Sequence, residues 1–285
     1  MKILVTGSNG QLGNEINKRT AAFPNWGFVF CDASQLDITD IEAVSAFISN
    51  NKITAIINCA AYTAVDKAED DTELCYAVNV TGAKNLALAA AEFNCRYIHT
   101  STDFVFDGKT HLPYREAEVP KPTSVYGKTK LEGEQEVLKL LPEAIVVRTA
   151  WLYSVHGGNF VKTMQRLGNE RDQLGVIFDQ VGTPTWAGDL AATILTVLEA
   201  LEKGGTQKGV YHYSNEGLAS WYDFAVAIME LSAIVCKVLP IETIAYPTPA
   251  PRPAFSVLNK AKIKSDFGIE IPHWRESLKK CILAD

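Results

Sequence analysis

The sequence predicts an α/β protein with a doubly wound parallel sheet, and two observations carry that prediction. Short apolar runs alternate with helix-periodic segments through the N-terminal half, and the first run leads straight into a glycine-rich turn. Strands covered on both faces read as unbroken apolar runs, and parallel neighbours need a crossover long enough to hold a helix. Right-handed crossovers then place helices on both faces of the sheet.

Taken in order, Lys2-Ile-Leu-Val-Thr6 reads as the first strand and Gly13 to Arg19 as the helix it feeds. Phe28-Val-Phe-Cys31 and Ile41 to Asn50 repeat the unit, followed by Ala55-Ile-Ile-Asn-Cys59 and one long helix over Glu73 to Phe93. Arg96-Tyr-Ile-His-Thr100, a helix over Tyr126 to Leu141 and Ala144-Ile-Val-Val-Arg148 complete the regular part. Beyond it the pattern loosens into a helix near Asp189 to Glu202, a strand at Val210-Tyr-His-Tyr213, a helix over Ser220 to Leu231 and a terminal helix from Trp274. Loops there are richer in Gly and Pro, notably Tyr246-Pro-Thr-Pro-Ala-Pro-Arg-Pro253. The expected division is a Rossmann-like nucleotide-binding domain over 1–152 and a smaller, mainly substrate-binding lobe over 153–285, with some later segments returning to the first domain. No repeat, low-complexity tract or long linker separates the two.

With 285 residues, 47% apolar content and a net charge of -6, the composition fits an ordinary soluble enzyme. Lys and Arg form no long block, so a nucleic-acid partner is not expected. Cys31, Cys59, Cys75, Cys95, Cys236 and Cys281 show no Cys-x-x-Cys spacing and read as reduced, small apolar side chains. The first strand has no signal-like segment ahead of it and no run approaches a membrane span, which predicts a cytoplasmic protein without a membrane partner. His99, His111, His156, His212 and His273 lack metal-ligand spacing, so no metal is expected.

Gly7-Ser-Asn-Gly10-Gln-Leu-Gly13 sits at the first strand-to-helix junction. Glycines permit the tight turn and the close approach of a pyrophosphate, and the helix start offers free amides. A dinucleotide site is therefore expected here, with a simple turn as the plain structural alternative. Asp32 ends the second strand where an acidic side chain reaches ribose hydroxyls, although a solvated loop carboxylate would look the same. Small residues in Asn58-Cys-Ala-Ala-Tyr-Thr63 would let a cofactor lie against the backbone, or simply allow close helix packing. Ser101-Thr102-Asp103 follows the fourth strand at the carboxyl edge of the sheet, where a hydroxyl can polarise a carbonyl. Tyr126 and Lys130, four apart, share one helix face, so the ammonium is expected beside the phenol, favouring its ionised form. Tyr126 then serves as a proton donor or acceptor near neutral pH.

On these segments the chain resembles the dTDP-4-dehydrorhamnose reductase family within the extended short-chain dehydrogenase/reductases. The likeness extends through Ala61-Tyr-Thr-Ala-Val-Asp-Lys-Ala-Glu69, Asn79-Val-Thr-Gly82, Tyr126-Gly-Lys-Thr-Lys-Leu-Glu-Gly-Glu134, Arg148-Thr-Ala-Trp-Leu-Tyr153, Asn159-Phe-Val-Lys162, Asp179-Gln-Val-Gly-Thr-Pro-Thr185 and the Tyr246 to Pro253 loop. One departure is Phe104, where the family usually carries tyrosine. The resemblance implies NADPH or NADH as cofactor and a dTDP-sugar as substrate, with the 4-keto group reduced to give dTDP-L-rhamnose. It implies catalytic roles for Thr102, Tyr126 and Lys130, with Tyr126 as acid and Lys130 lowering its pKa while orienting the nicotinamide ribose. It also implies cofactor contacts from Gly7, Gly10, Gln11, Leu12, Gly13, Asp32, Asp37, Ile38, Ala61, Tyr62, Thr63, Tyr126 and Lys130. Thr102, Asp103, Trp151 and Arg252 would contact substrate, Arg252 through its diphosphate. Trp151 alone would read as core. Some members hold magnesium with glutamates at a dimer interface; only Glu276 offers itself here, so the metal is not carried over, and a homodimer stays open. Two other readings stand beside the reductase: a related sugar-nucleotide epimerase or dehydratase, and a non-catalytic NADP-binding subunit resembling that of methionine adenosyltransferase.

Overall fold

The computed structural model describes residues 1–284. Its regular half runs β1 (Lys2–Thr6), α1 (Gln11–Asn17), β2 (Gly27–Cys31), α2 (Ile41–Asn51), β3 (Ala55–Asn58), α3 (Thr72–Tyr76), α4 (Ala83–Glu92), β4 (Arg96–Thr102), α5 (Val125–Leu140) and β5 (Ile145–Thr149). Next come β6 (Leu152–Tyr153), α6 (Phe160–Glu170), β7 (Gln173–Ile177), β8 (Val181–Gly182), β9 (Thr185–Trp186), α7 (Ala187–Glu202) and β10 (Gly209–His212). The chain finishes with β11 (Ala219–Ser220), α8 (Trp221–Leu231), β12 (Lys237–Ile241), α9 (Ala261–Phe267) and α10 (Trp274–Leu283).

Six strands in the order β10-β5-β4-β3-β1-β2 make one sheet, every neighbouring pair parallel. The doubly wound sheet expected from the alternation is therefore what forms. Side-chain alternation explains its two faces. Ile3, Val5, Ile57, Ile98 and Val147 point into one core with Leu190, Ile194 and Leu198 of α7, while Leu4, Ile56, Tyr97 and Val146 point into the other with Val44 and Ile48 of α2 and Leu86 of α4. Strand order reverses between β1 and β3, the switch point where open α/β sheets leave a crevice for ligands.

The single helix expected over Glu73 to Phe93 is instead three pieces, because Ala77–Gly82 widens into a π-helical turn between α3 and α4. The Asn79 carbonyl bulges onto α5 so closely that a Cβ on Gly133 would lie 2.2 Å from it. Such a turn commonly marks a functional region.

The second lobe has its own core of Tyr153, Val161, Met164, Leu174, Val176, Phe224, Ile228 and Trp274. Among the elements there that the sequence reading passed over are α6, capped by Asn159 accepting from the Lys162 amide, and the parallel pair β7 and β12. Although β10 follows this lobe's first segments in sequence, it pairs with β5 and completes the large sheet.

Candidate active site

The turn after β1 is tight by necessity. Gly7 has φ +65, and a Cβ there would lie 2.7 Å from the Ala60 nitrogen. At Gly13 a Cβ would lie 2.6 Å from the Gly7 carbonyl oxygen, so α1 backs directly onto its own loop. Gly10 caps α1 without any side chain accepting from the first-turn amides. Those amides and the positive end of the helix form the donor set a pyrophosphate requires, and the loop fits a dinucleotide on that ground. The side chains of Gln11 and Leu12 are otherwise engaged. Leu12 is core, and Gln11 spans to the second lobe, donating to the Leu152 carbonyl (3.3 Å) and accepting from Asn159 (3.0 Å).

Asp32 lies just beyond β2 and accepts from the amide and hydroxyl of Ser34 (2.8 and 2.7 Å) and from Asn9. The Ser34 hydrogen bonds hold its carboxyl below the usual range, leaving an anion beside the glycine loop. Asp37 is exposed and makes the same kind of turn with Thr39, while Ile38 is buried against Gly82. Past β3, Ala61 and Tyr62 are half-buried and Thr63 is exposed. Asn79 clamps the Tyr62 backbone, accepting from its N–H (2.9 Å) and donating to its carbonyl (3.3 Å), and also donates to Thr129 on α5 (3.1 Å).

Ser124 caps α5 by accepting from the Gly127 amide, and Tyr126, Lys130 and Glu134 follow along one buried helix face. The helix rests directly on the segment after β4: a Cβ on Gly127 would meet the Phe104 carbonyl at 2.2 Å. Burial raises the Tyr126 phenol above its ordinary range, Asp103 adds to that, and a hydrogen bond with Thr102 opposes it. Lys130 donates to the Thr100 carbonyl (2.7 Å), and burial lowers it to about 8, with Glu134 the strongest opposing charge.

This corrects one expectation. Spacing alone put the ammonium beside the phenol and favoured its ionised form. In the structure the ammonium turns to a carbonyl of β4, desolvation dominates at the phenol, and the polar groups acting on it are Thr102, Asp103 and Cys75. Tyr126 is thus held as a protonated acid. Thr102 donates to Asp103 Oδ1 (3.1 Å) and accepts from the Phe104 amide (3.2 Å). Burial lifts Asp103 to about 6. Side-chain hydrogen bonding with Ser256, the strongest of the opposing influences, and with Thr102 pulls it the other way.

Between this cluster and the second lobe lies a cleft of about 790 Å³, its walls including Asp66, Phe104, Trp151, Trp221 and Arg252. Trp151 sits at φ +47, a conformation unusual for a bulky residue, and stacks on Trp221 at 3.6 Å. The absence of a Cβ on Gly182 makes room for the indole. Phe104 meets Tyr126 edge-on at 5.5 Å. Arg252 lines the cleft, but its guanidinium is forked onto Asp66 at 2.7 and 2.8 Å and also donates to the Ala250 carbonyl. The structure thus brings Thr102, Asp103, Tyr126 and Lys130 together, with Trp151 and Arg252 on the cleft wall. Sequence reasoning missed Asp66, Trp221 and Asn79 as parts of this site. Asp66 did stand in a singled-out motif, but nothing in its spacing pointed to Arg252. Among the described residues, no group of three or more His, Cys, Asp or Glu could hold a metal ion.

Comparison with known proteins places the chain in a family. The family model described as the RmlD substrate binding domain matches residues 1–284. The chain is 44% identical, over 98% of its length and 97% of the relative's, to a dTDP-4-dehydrorhamnose reductase of Aggregatibacter actinomycetemcomitans. It resembles the crystal structure of a dTDP-4-dehydrorhamnose reductase from Clostridium acetobutylicum with TM-score 0.94 and 46% identity, covering 100% of this chain and 99% of that one. A Bacillus anthracis dTDP-4-dehydrorhamnose reductase solved in complex with NADP also gives TM-score 0.94, at 36% identity and the same coverage of both chains.

Proposed function

We infer the reaction from one premise: the chain belongs to the dTDP-4-dehydrorhamnose reductase (RmlD) family of the extended short-chain dehydrogenase/reductases. It is an NAD(P)H-dependent oxidoreductase that reduces the 4-keto group of dTDP-4-dehydro-β-L-rhamnose to dTDP-β-L-rhamnose in nucleotide-sugar biosynthesis. The observation that best supports an active enzyme over a binding protein of the same fold is the buried cluster of Thr102, Tyr126 and Lys130, with Tyr126 meeting edge-on the ring of Phe104, which lines the open cleft.

The roles of individual residues are our proposal. The loop Gly7 to Gly13, with Asp32, Asp37 and Ile38 on one side and Ala61 to Thr63 on the other, would hold the dinucleotide. When bound, the reduced coenzyme supplies the hydride that becomes the new hydrogen at C4. Tyr126 transfers its phenolic proton to the carbonyl oxygen of the sugar, a role suited to a group that burial keeps protonated. Thr102 fixes the phenol by their hydrogen bond, and Asp103 in turn orients the Thr102 hydroxyl. Lys130 places a positive charge in the buried cluster, which favours charge developing on the reacting oxygen. Trp151 and Arg252 contact the remote part of the substrate, whose binding orients the keto carbon. A cytoplasmic location belongs to the same proposal, supported by six cysteines of which none forms a disulfide. Sedimentation would decide between a monomer and a homodimer.

The deciding experiment incubates the protein with the dTDP-4-keto-6-deoxy-L-sugar and each reduced coenzyme, following absorbance loss and product identity. The nucleotide-linked ketone is expected to be reduced and the free keto sugar to react very poorly. Similar kcat/KM for the two, or an epimer released without net coenzyme oxidation, refutes the reading.

A further inference from the structure

Glu134 and Arg148 form a buried ion pair that the reaction as described leaves unused. Arg148 Nε donates to Oε1 (2.9 Å) and Oε2 (3.1 Å), and Nη2 to Oε2 (2.6 Å), with the two side chains only 4% and 2% exposed. Removing two charges from water often costs more than their attraction returns, so such a pair calls for a reason beyond stability.

Its position supplies one. Glu134 lies one turn beyond Lys130 on the same buried face of α5. The Lys130 ammonium, 1% exposed, rests on a neutral carbonyl, that of Thr100. Thr100 pairs with Val147 in the sheet register, next to Arg148, so two ties one helical turn apart bind α5 to adjacent strands. Lys130 feels Glu134 on its own helix, His99 on β4, Cys59 after β3 and Cys75 on α3. Burial keeps His99 neutral and raises both thiols, Cys59 to about 12, so Glu134 is the charged member of that set. Arg148 fixes the carboxylate in turn. Its guanidinium lies over the Phe106 ring at 5.2 Å, and Nη1 meets His212 Nε2 at 3.5 Å. Burial holds His212 neutral, at about 3, and its Nδ1 donates to the Tyr114 carbonyl (3.1 Å), leaving Nε2 as an acceptor.

We propose that Glu134, anchored by Arg148, is a positioning residue that keeps the Lys130 ammonium charged and seated on Thr100 in an otherwise dry site. The proposal builds on Lys130 as part of the catalytic cluster, so its test reads the lysine directly in coenzyme-free protein. Lysine labelled with ¹³C at Cε is titrated by NMR, with the Lys130 resonance identified by its loss in Lys130→Met. In Glu134→Gln/Arg148→Met, which removes both charges together, the Lys130 midpoint is expected to fall by about one pH unit. The alkaline limb of kcat/KM should move down by a similar amount. In Glu134→Asp, which withdraws the carboxylate by one methylene at constant charge, the midpoint should shift the same way by a few tenths of a unit. That variant also carries the test if the double variant fails to fold. A merely structural brace would lower the melting temperature and leave the Lys130 midpoint in place; an unmoved midpoint in the folded variants overturns the proposal. Loss of activity in Lys130→Phe or Lys130→Met tests the catalytic reading separately, since it does not depend on Glu134.

Discussion

Replacing Asp103 by asparagine should stabilise the protein, and mainly at the pH where the native carboxyl is charged. The Asp103 side chain is 2% exposed, and burial lifts its pKa from 3.8 to about 6. Between those values the folded protein holds a proton that the unfolded chain has released. Stability linked to this group is therefore complete below about pH 4 and lost as pH rises through 6. At about 1.4 kcal/mol per unit, the loss reaches at most about 3 kcal/mol at pH 7.5 and is about 1 kcal/mol at pH 4.5. Asparagine cannot ionise, yet keeps an oxygen to accept from Thr102. Urea denaturation of both proteins at the two pH values should show the variant gaining about 2 kcal/mol more at pH 7.5 than at pH 4.5. A stability difference that does not change with pH would refute the reasoning, because only the ionisation is pH-linked. Turnover should fall in the same variant, since the carboxyl that destabilises the fold also accepts from the Thr102 hydroxyl and holds it in place.

Three further outcomes follow from the site. Tyr126→Phe should lower turnover about 10²- to 10⁴-fold with coenzyme affinity nearly intact by calorimetry; near wild-type turnover would remove the phenol from the mechanism. Asp32→Ala should shift steady-state preference toward NADPH, because the carboxylate repels a 2′-phosphate, and a shift toward NADH would contradict its placement beside the ribose. Arg252→Gln should raise KM for the nucleotide sugar about tenfold while costing no more than about 1 kcal/mol of stability, since its partner Asp66 is 42% exposed. An unchanged KM with a larger loss of stability would make the Asp66 pair a brace for the Pro-rich loop.

What the sequence made legible was local. Strands β1, β3, β4 and β5 showed as apolar runs because both faces of each are buried, whereas the edge strand β2 is only half-buried, and the glycine turn showed because Gly7 and Gly13 leave no room for a Cβ. Tyr126 and Lys130 could be paired on one face because helical spacing is a short-range rule. The direction of the Lys130 ammonium was not legible, since it depends on a carbonyl of β4 thirty residues away. Arg252 and Asp66 are 186 residues apart, and no periodicity links them. The π-helical turn over Ala77–Gly82 was not legible either, since the close approach of its Asn79 carbonyl to Gly133 on α5 joins residues far apart in sequence. By contrast α6 did leave a signal that went unread, with Asn159 as cap and Val161, Met164 and Gly168 on one face.

The late arrival of β10 bears on how the chain folds during synthesis. Until Gly209 to His212 emerge, β5 is the outermost strand, with its row of backbone donors and acceptors unpaired. At about 5–20 residues per second, the roughly 60 residues between the end of β5 and the start of β10 leave that edge uncovered for some 3–12 seconds. The first 149 residues therefore emerge from the ribosome as a sheet still open to strand addition, and a helper that shields exposed edges would act in that interval. Moving the chain termini by circular permutation, so that β10 is made before β5, should shorten the vulnerable period and raise the yield of soluble protein while keeping the strand order of the finished sheet.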